Sequence, residues 1–289
     1  MSKFNLVNGF FPKRNFGDDM FLACAHKYVE GDYKVRNDEK SSRNYLEWLN
    51  FLKNTKHYTW LGGTFIDKDT DLKMLVSMLL EFTLVKLFGA QLSFVSVGLS
   101  RDVSFLKKIS LQYFCWLADD ISVRDKDSFK AYRSYRGNLK LTGDIVVLQK
   151  DLFHCNPANS SVGNYTYVSV DKEKSLDILI KNNSLLEPVK GKNAVIQITS
   201  PYKEKEQIER SSHVCELLNC KFKIQPYTDY NQVLEFINNA DYIITDRLHV
   251  AIAGLINSKK VYLFGVSEKL QGIHDLLEFD DHSNLILLT

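Results

Sequence analysis

The sequence lacks several short patterns that identify common kinds of site. It has no Gly-x-Gly-x-x-Gly and no Gly-Lys-Ser/Thr, so neither a dinucleotide fingerprint nor a nucleotide-triphosphate loop is expected. It has no His-x-x-x-His and no cluster of His and Cys with the spacing of a structural zinc site. We therefore expect no structural zinc, no metal-binding residues and no resident cofactor, while the sequence leaves a metal requirement of the reaction open.

An excess of charge of either sign is also missing, because 37 basic residues stand against 35 acidic ones. That balance does not favour a nucleic-acid surface. The five cysteines are scattered without a Cys-x-x-Cys pair, as in reduced cytosolic proteins. No apolar run reaches the roughly 20 residues of a membrane span, and no signal peptide is recognisable. We expect a cytoplasmic protein and leave peripheral association with the inner face of a membrane open.

Apolar strands and helices alternate through both halves of the chain, which is the pattern of parallel α/β sheets. The polar residues 149–163 are typical of a connection between domains. We predict two Rossmann-like domains, over residues 1–150 and 151–289, that face a cleft.

The clearest chemical signal lies in the C-terminal half. Residues 242–245 and 261–264 predict two buried strands, and a helix begins near Arg247 between them, with Asp246 as its cap. The first turn of a helix offers unpaired N–H groups and partial positive charge, which attract anions. Arg247 adds a two-pronged donor for phosphate or carboxylate, and His249 adds a proton transferable near neutral pH.

A second signal lies near the start of the chain. Asn15 and Gly17 are turn residues, and Asp18 or Asp19 is a natural cap for a helix over residues 20–28. A strand, a glycine turn and a capped helix in this order form a ligand crevice in α/β domains. That Asp18 only caps the helix is an equal alternative.

Weaker signals follow further along the N-terminal half. Gly62 and Gly63 permit close approach of the backbone to a ligand, or form a plain turn. Arg124 follows a predicted strand, where it contacts a ligand or forms an ion pair that holds the turn. Residues 34–42 predict a surface loop, and residues 145–148 predict a strand.

Residues 72–88 predict the most apolar helix of the chain. A core helix is favoured over a membrane-surface helix, because a surface binder normally carries a basic polar face.

The motifs, taken in order, resemble the polysaccharide pyruvyl transferases. The matching pieces are Asn15-Phe-Gly-Asp18, Gly62-Gly63, Ser122-Val-Arg-Asp-Lys-Asp-Ser128, Gly143-Asp144, Asp246-Arg-Leu-His249, and Lys269 with Gly272. The chain departs from the family pattern at Thr64, where a third glycine is usual, and after Val97, where only Gly98 remains of a glycine-rich loop.

The resemblance implies the two-domain GT-B architecture and phosphoenolpyruvate as co-substrate. A pyruvyl group would pass to hydroxyls of a sugar in a capsule, exopolysaccharide or cell-wall glycan precursor, free or lipid-linked. The predicted catalytic residues are His249 as general acid and Asp18 as base. The predicted donor-binding residues are Arg247, Lys269, Arg124 and Thr199. The predicted acceptor-binding residues are Asn15, Gly17, Gly62 and Gly63, so the N-terminal domain would be the acceptor side and the C-terminal domain the donor side.

Two alternatives stay open. A GT-B glycosyltransferase would hold the diphosphate of a nucleotide-sugar in the same anionic pocket. A non-catalytic relative would keep the fold alone, which the reduced glycines after Val97 favour. The sequence indicates neither the acceptor sugar nor the oligomeric state.

Overall fold

The computed structural model describes residues 3–11, 15–36, 44–67, 70–100, 103–155, 164–265 and 284–288. The chain divides into two compact units. The first contains Met1–Pro12 and Phe21–Leu148, and the second contains Lys13–Met20 and Gln149–Thr289. The segment that carries Asn15 and Gly17 thus groups with the C-terminal half, whereas we had placed it in the N-terminal domain.

The first unit contains a sheet of six described strands that are all parallel. In chain order they are β1 (Phe4–Asn8), β2 (Tyr33–Val35), β3 (Thr55–Leu61), β4 (Gln91–Val97), β5 (Asp120–Val123) and β6 (Lys140–Leu141). Their order across the sheet is β2-β1-β3-β4-β5-β6. The helices up to residue 148 are α1 (Phe16–Ala23), α2 (Tyr45–Lys53), α3 (Leu72–Leu87), α4 (Phe105–Leu117), α5 (Lys126–Tyr132) and α6 (Ile145–Leu148).

Three local predictions for this half were wrong. Residues 145–148 form helix α6 and not a strand, because the Asp144 carboxylate accepts from the Val146 N–H at 3.0 Å and starts a helix. Residues 33–35 form β2, which pairs with β1. Helix α1 begins at Phe16 because Asn15 supplies the cap, and it ends at Ala23.

Glu81 interrupts the apolar pattern of α3 and is buried. The hydroxyl of Tyr58 and Nε of Arg36 each donate to its Oε1 at 2.5 Å, and Nη2 of Arg36 donates to its Oε2. A buried carboxylate needs such partners, because an uncompensated charge in the interior is costly.

The second unit contains six described parallel strands. They are β7 (Thr166–Ser169), β8 (Asn193–Gln197), β9 (Lys221–Gln225), β10 (Tyr242–Thr245), β11 (Lys260–Phe264) and β12 (Leu285–Leu288). The helices are α7 (Lys174–Lys181), α8 (Glu204–Leu217), α9 (Tyr230–Asn239) and α10 (Leu248–Ile256). The sheet order β9-β8-β7-β10-β11-β12 is the Rossmann order, and it reverses between β7 and β10. The predicted α/β class with two Rossmann-like sheets is confirmed.

Helix α10 packs closely on this sheet, as its small residues predict. A Cβ on Gly254 would lie 2.4 Å from Cδ1 of Ile243 in β10 and 2.9 Å from Cγ2 of Val261 in β11. The absence of a side chain at Gly254 therefore sets the height of α10 above the sheet and fixes the position of its first turn.

Candidate active site

The second unit brings chemically active side chains to the point where its strand order reverses. Asp171 lies just beyond β7, and Asp246 and Arg247 follow β10, the strand paired with β7. In open parallel sheets, ligands bind outside the carboxyl ends of the strands at this reversal. The fold therefore places these three residues where a ligand is expected.

Asp246 ties the two strand ends together. Its buried carboxylate accepts from the backbone N–H groups of Asp171 at 3.0 Å and Lys172 at 2.6 Å, and from the Ser175 hydroxyl at 2.9 Å. Burial raises its pKa. We had expected Asp246 to cap α10, but the cap position is Arg247, without a side-chain capping bond. Asp246 instead holds the loop after β7.

Arg247 is held by two oxygen atoms. Its Nη1 lies 2.9 Å from Oδ2 of Asp171, and its Nη2 donates to the hydroxyl of Ser200 beyond β8. The guanidinium is partly buried, with the side chain 19% exposed. A planar fork fixed at both ends can offer its remaining N–H groups to an oxyanion without a further loss of side-chain freedom.

Two further cations gather at Asp171. Nζ of Lys203 lies 3.4 Å from its Oδ2, and Nη1 of Arg210 donates to its backbone carbonyl. Three cationic side chains, Arg247 included, thus contact Asp171. Cationic groups gathered at one strand end suit an anionic ligand.

The first turn of α1 is joined to the same strand ends. The Asn15 side-chain oxygen accepts from the N–H groups of Gly17 at 3.0 Å and Asp18 at 3.2 Å, and its amide donates to the Asp18 carboxylate. The Phe16 N–H donates to the carbonyl of Thr199 at 3.0 Å. This contact explains why the segment groups with the second unit.

Gly17 and His249 are packed against each other. A Cβ on Gly17 would lie 2.3 Å from Nδ1 of His249 and 2.9 Å from its Cγ. The imidazole therefore rests on the Gly17 backbone, and the first turns of α1 and α10 meet at this contact. No sequence pattern indicates that residues 17 and 249 touch.

An acidic pair and a phenol lie beside the same turn. The Tyr227 hydroxyl donates to Oδ2 of Asp19. Burial, that bond and the charges of nearby carboxylates, Asp18 among them, raise the pKa of Tyr227, so the phenol keeps its proton at neutral pH. Asp18 itself is buried, with only 7% of its surface exposed.

Thr199 occupies a fully buried position in this region. Its hydroxyl lies 3.2 Å from that of Ser169 and accepts from the Gln207 amide at 2.9 Å. Its N–H donates to Oε1 of Gln207 at 3.0 Å. The structure thus places Thr199 in a buried network, where its carbonyl anchors α1.

Gly62, Gly63 and Arg124 lie in the first unit. Arg124 is buried, and its Nη1 lies 3.6 Å from Oδ2 of Asp144 while its Nη2 donates to the Thr64 hydroxyl at 3.2 Å. The two glycines have positive φ angles of 58° and 75°, the conformation of a turn that favours glycine. Lys269 lies outside the described residues.

Sequence reasoning missed five residues of the region: Asp171, Ser200, Lys203, Arg210 and Tyr227. Three of them, Asp171, Ser200 and Tyr227, follow the carboxyl ends of β7, β8 and β9. Position after a strand is the signal that finds such residues once the strands are known. Lys203 and Arg210 lie on or next to α8, and only the packing of that helix reveals them.

The sequence model of one protein family, described as polysaccharide pyruvyl transferase, matches residues 15–268. The match begins at Asn15, the cap of α1, and includes both Arg247 and His249. The chain belongs to the polysaccharide pyruvyl transferase family. The family prediction is therefore confirmed, and with it the class of enzyme, a transferase. Comparison with curated proteins gave no match.

Solved structures resemble this pyruvyl transferase family member in fold. The UDP-GlcNAc 2-epimerase from Methanocaldococcus jannaschii is 13% identical with a TM-score of 0.59, and the match covers 99% of this chain and 88% of that one. A putative UDP-N-acetylglucosamine 2-epimerase from Listeria monocytogenes is 9% identical with a TM-score of 0.57, over 98% and 86% of the chains. A functionally uncharacterized protein from Klebsiella pneumoniae is 13% identical with a TM-score of 0.57, and the match covers 99% of this chain and 93% of that one. At these identities the likeness shows the fold, and it confirms the GT-B-like class.

Among the residues that the structure describes, no group of three His, Cys, Asp or Glu side chains is arranged to hold a metal ion. None of the described helices has the length and apolar character needed to cross a bilayer.

Proposed function

We propose that this family member transfers the pyruvyl group of phosphoenolpyruvate to two hydroxyls of a sugar, forming a ketal on a capsule, exopolysaccharide or cell-wall glycan precursor. One observation carries the proposal: the first turn of α10 holds a fixed guanidinium at Arg247 and, two residues on, an imidazole packed against Gly17. A guanidinium beside a proton-donating imidazole suits a small acidic co-substrate such as phosphoenolpyruvate.

The reaction protonates the donor, replaces its phosphate with two sugar oxygens and removes two hydroxyl protons. A proton is added to the methylene carbon of the enol, and one sugar oxygen forms a bond to the neighbouring carbon. The bond from that carbon to the phosphate oxygen then breaks, and the second sugar oxygen takes its place. Of the two hydroxyl protons lost, one balances the new methyl group and the other leaves with phosphate. The products are the ketal and inorganic phosphate.

In our proposal His249 supplies the proton to the enol carbon. An imidazole is suited to this because it changes charge near neutral pH. The Gly17 backbone packs against one face of the imidazole, and this contact restricts the rotation of the ring. A held orientation is what general acid catalysis requires.

Arg247 holds the phosphate or carboxylate of the donor. Asp171 and Ser200 use two of its five N–H donors and orient the others. Lys203 and Arg210 add positive charge at the same strand end as the phosphate departs. Arg124, Thr199 and Lys269 remain proposals as further donor ligands.

Asp18 is the proposed base for the acceptor hydroxyl. Its carboxylate is buried and receives a hydrogen bond from the Asn15 amide, so its orientation is fixed beside the first turn of α1. Asn15, Gly17, Gly62 and Gly63 are the proposed acceptor contacts, with the main chain of Gly17 also supporting His249.

The test is release of phosphate from phosphoenolpyruvate by the purified protein, with a matching mass gain on candidate glycan precursors. His249→Ala should lower turnover by roughly 100- to 10,000-fold, the usual contribution of a general acid. His213→Ala, at an exposed position of α8, is the matched control and should retain full turnover. Turnover of His249→Ala close to that of the unmodified protein would remove His249 from the mechanism.

A nucleotide-sugar enzyme is the second candidate, because the fold is like that of epimerases solved with UDP-GlcNAc and UDP. Thermal shift separates the two: phosphoenolpyruvate should raise the melting temperature and UDP-GlcNAc should not. The opposite result favours the second candidate. A relative without catalytic activity would release no phosphate with any acceptor.

A further inference from the structure

Helix α3 has two apolar faces. Leu75, Met78, Phe82 and Val85 point into the core of the first unit and are buried. On the opposite side, Leu72, Val76, Leu80 and Leu87 are each at least half exposed. Positions 72, 76 and 80 recur every four residues, so they form one continuous stripe along the helix. The outer face of a surface helix is normally polar, so this one is unusual.

Helix α4 repeats the arrangement. Its residues Leu111, Phe114 and Cys115 are buried in the core. Its outer side carries Phe105 at 79% exposure, Trp116 at 67%, and the exposed Leu106 and Ile109. Two neighbouring residues on the chain, Phe105 and Leu106, are thus both large, apolar and open to solvent.

The two stripes belong to one surface because α3 and α4 lie side by side. The Thr83 and Tyr113 hydroxyls are 2.9 Å apart, and the rings of Phe82 and Phe114 are 5.0 Å apart in the core below. We call the eight exposed residues the α3–α4 outer face: Leu72, Val76, Leu80, Leu87, Phe105, Leu106, Ile109 and Trp116. Contiguous apolar surface of this kind marks a docking site.

Among the described residues, the exposed charged groups at the borders of this face are two lysines and one carboxylate, Asp71, which precedes Leu72. Lys73 and Lys108 are exposed at its borders, and Lys107 donates to the carbonyl of Asp67. Helix α4 has no acidic residue. The acidic residue of α3, Glu81, is buried and paired with Arg36, while Lys86 of α3 pairs with Asp119. With Asp71 counted against Lys73 and Lys108, the face still offers more positive than negative charge to a partner.

We propose that the α3–α4 outer face docks onto the surface of an anionic lipid bilayer. Its leucines and aromatic rings enter the boundary between headgroups and acyl chains, and Lys73 and Lys108 contact anionic headgroups. Trp116 and Phe105 are residue types that favour this boundary. Core packing alone, which the sequence favoured for α3, explains only the buried half of the helix.

Charge decides between a bilayer and a second copy of the chain. Two copies joined through this face would place the lysines of both copies around one interface, and that excess of like charge opposes such a contact. An anionic bilayer removes the same apolar area from water and is attracted by the same lysines. The proposal concerns a surface of the first unit and does not depend on the proposed reaction.

Co-sedimentation of the full-length protein with vesicles tests the proposal. The protein should sediment with vesicles of phosphatidylcholine and phosphatidylglycerol, and less with phosphatidylcholine alone. Phe105→Ser combined with Trp116→Ser should weaken binding by about tenfold or more. The variant lacks two large rings whose transfer from water into the bilayer favours binding. Lys73→Glu combined with Lys108→Glu should weaken binding only to the anionic vesicles.

Ile180→Ser combined with Leu185→Ser is the matched control, since both residues are exposed and apolar but lie in the second unit. This control should bind as the unmodified protein does. Equal binding of the Phe105/Trp116 variant and the unmodified protein would overturn the proposal, as would no binding to either vesicle. A dimer in solution that the Phe105/Trp116 variant converts to monomer would also overturn it, in favour of a second copy.

Discussion

Nη1 of Arg247 lies 2.9 Å from Oδ2 of Asp171, and this ion pair joins the loops that follow β10 and β7. Both side chains are shielded, at 19% and 8% exposure, so the pair is held more firmly than one at the open surface. The carboxylate thereby determines where the guanidinium points. In our proposal Asp171 is a positioning residue for donor binding.

Asp171→Asn should raise the KM for phosphoenolpyruvate by about tenfold and change kcat less, because a charge-assisted bond to Arg247 becomes a weaker neutral one. The backbone bonds of residue 171 to Asp246 and Arg210 are retained. Steady-state kinetics measure the split, with the exposed Asp177→Asn as control. A lower KM would show instead that Asp171 only offsets positive charge.

Arg247→Lys should raise the donor KM by roughly 10- to 100-fold, the range set by losing one charge-assisted hydrogen bond. Lysine keeps the charge, but its single ammonium cannot bind Asp171, Ser200 and an oxyanion in one plane. Kinetics with phosphoenolpyruvate as the varied substrate check this. An unchanged KM argues that the guanidinium is not the donor clamp.

Gly17→Ala should lower kcat while leaving the protein folded. The added Cβ would lie 2.3 Å from Nδ1 of His249, so the imidazole must move. Alanine is the better helix former, so helix propensity gives no reason for a lower melting temperature. Turnover and thermal melting are compared with Gly137→Ala, where a Cβ meets no atom within 4 Å. Full turnover in Gly17→Ala would show that the ring position does not matter.

Alkaline pH should destabilise the protein through its buried thiols. Burial raises the pKa of Cys115 and of Cys215 to about 12. In the unfolded chain a thiol ionises near pH ~8.5, so above that pH the unfolded state loses protons that the folded state keeps. The free energy of unfolding therefore falls as pH rises from about 8.5 toward 12.

Each such thiol contributes a slope of about 1.4 kcal/mol per pH unit inside that window. Urea unfolding at pH values of about 8 and about 10 measures it. Cys115→Ala and Cys215→Ala should each show a smaller loss between the two pH values than the unmodified protein. Equal losses would contradict a raised thiol pKa.

The secondary structure around the Arg247 stretch could be predicted closely from sequence. The pattern placed a strand at residues 242–245, as observed, and started the helix one residue before Leu248. Helix α3, predicted over residues 72–88, was also placed within one residue of its observed end. These elements are long or strongly apolar, and period alone separates helix from strand in such segments.

The site itself was predicted less well, because its contacts join distant parts of the chain. A capping role for Asp246 follows from local preference, yet its carboxylate binds the loop after β7, which lies more than 70 residues earlier. Likewise, Asn15 and Gly17 lie near the start of the chain, and contacts such as the Phe16–Thr199 bond and the Gly17–His249 packing show which half they join. Local pattern has no information on such pairings.

The membership of Lys13–Met20 in the second unit has a consequence for how this protein can be divided or recombined. A fragment cut at residue 149 would retain the strands β7 to β12 and yet lose the Gly17 backbone on which the His249 ring rests. Exchange of C-terminal halves between relatives would mismatch that support unless the short N-terminal segment were exchanged with them. The C-terminal half therefore depends on a segment from the start of the chain for the support of its imidazole.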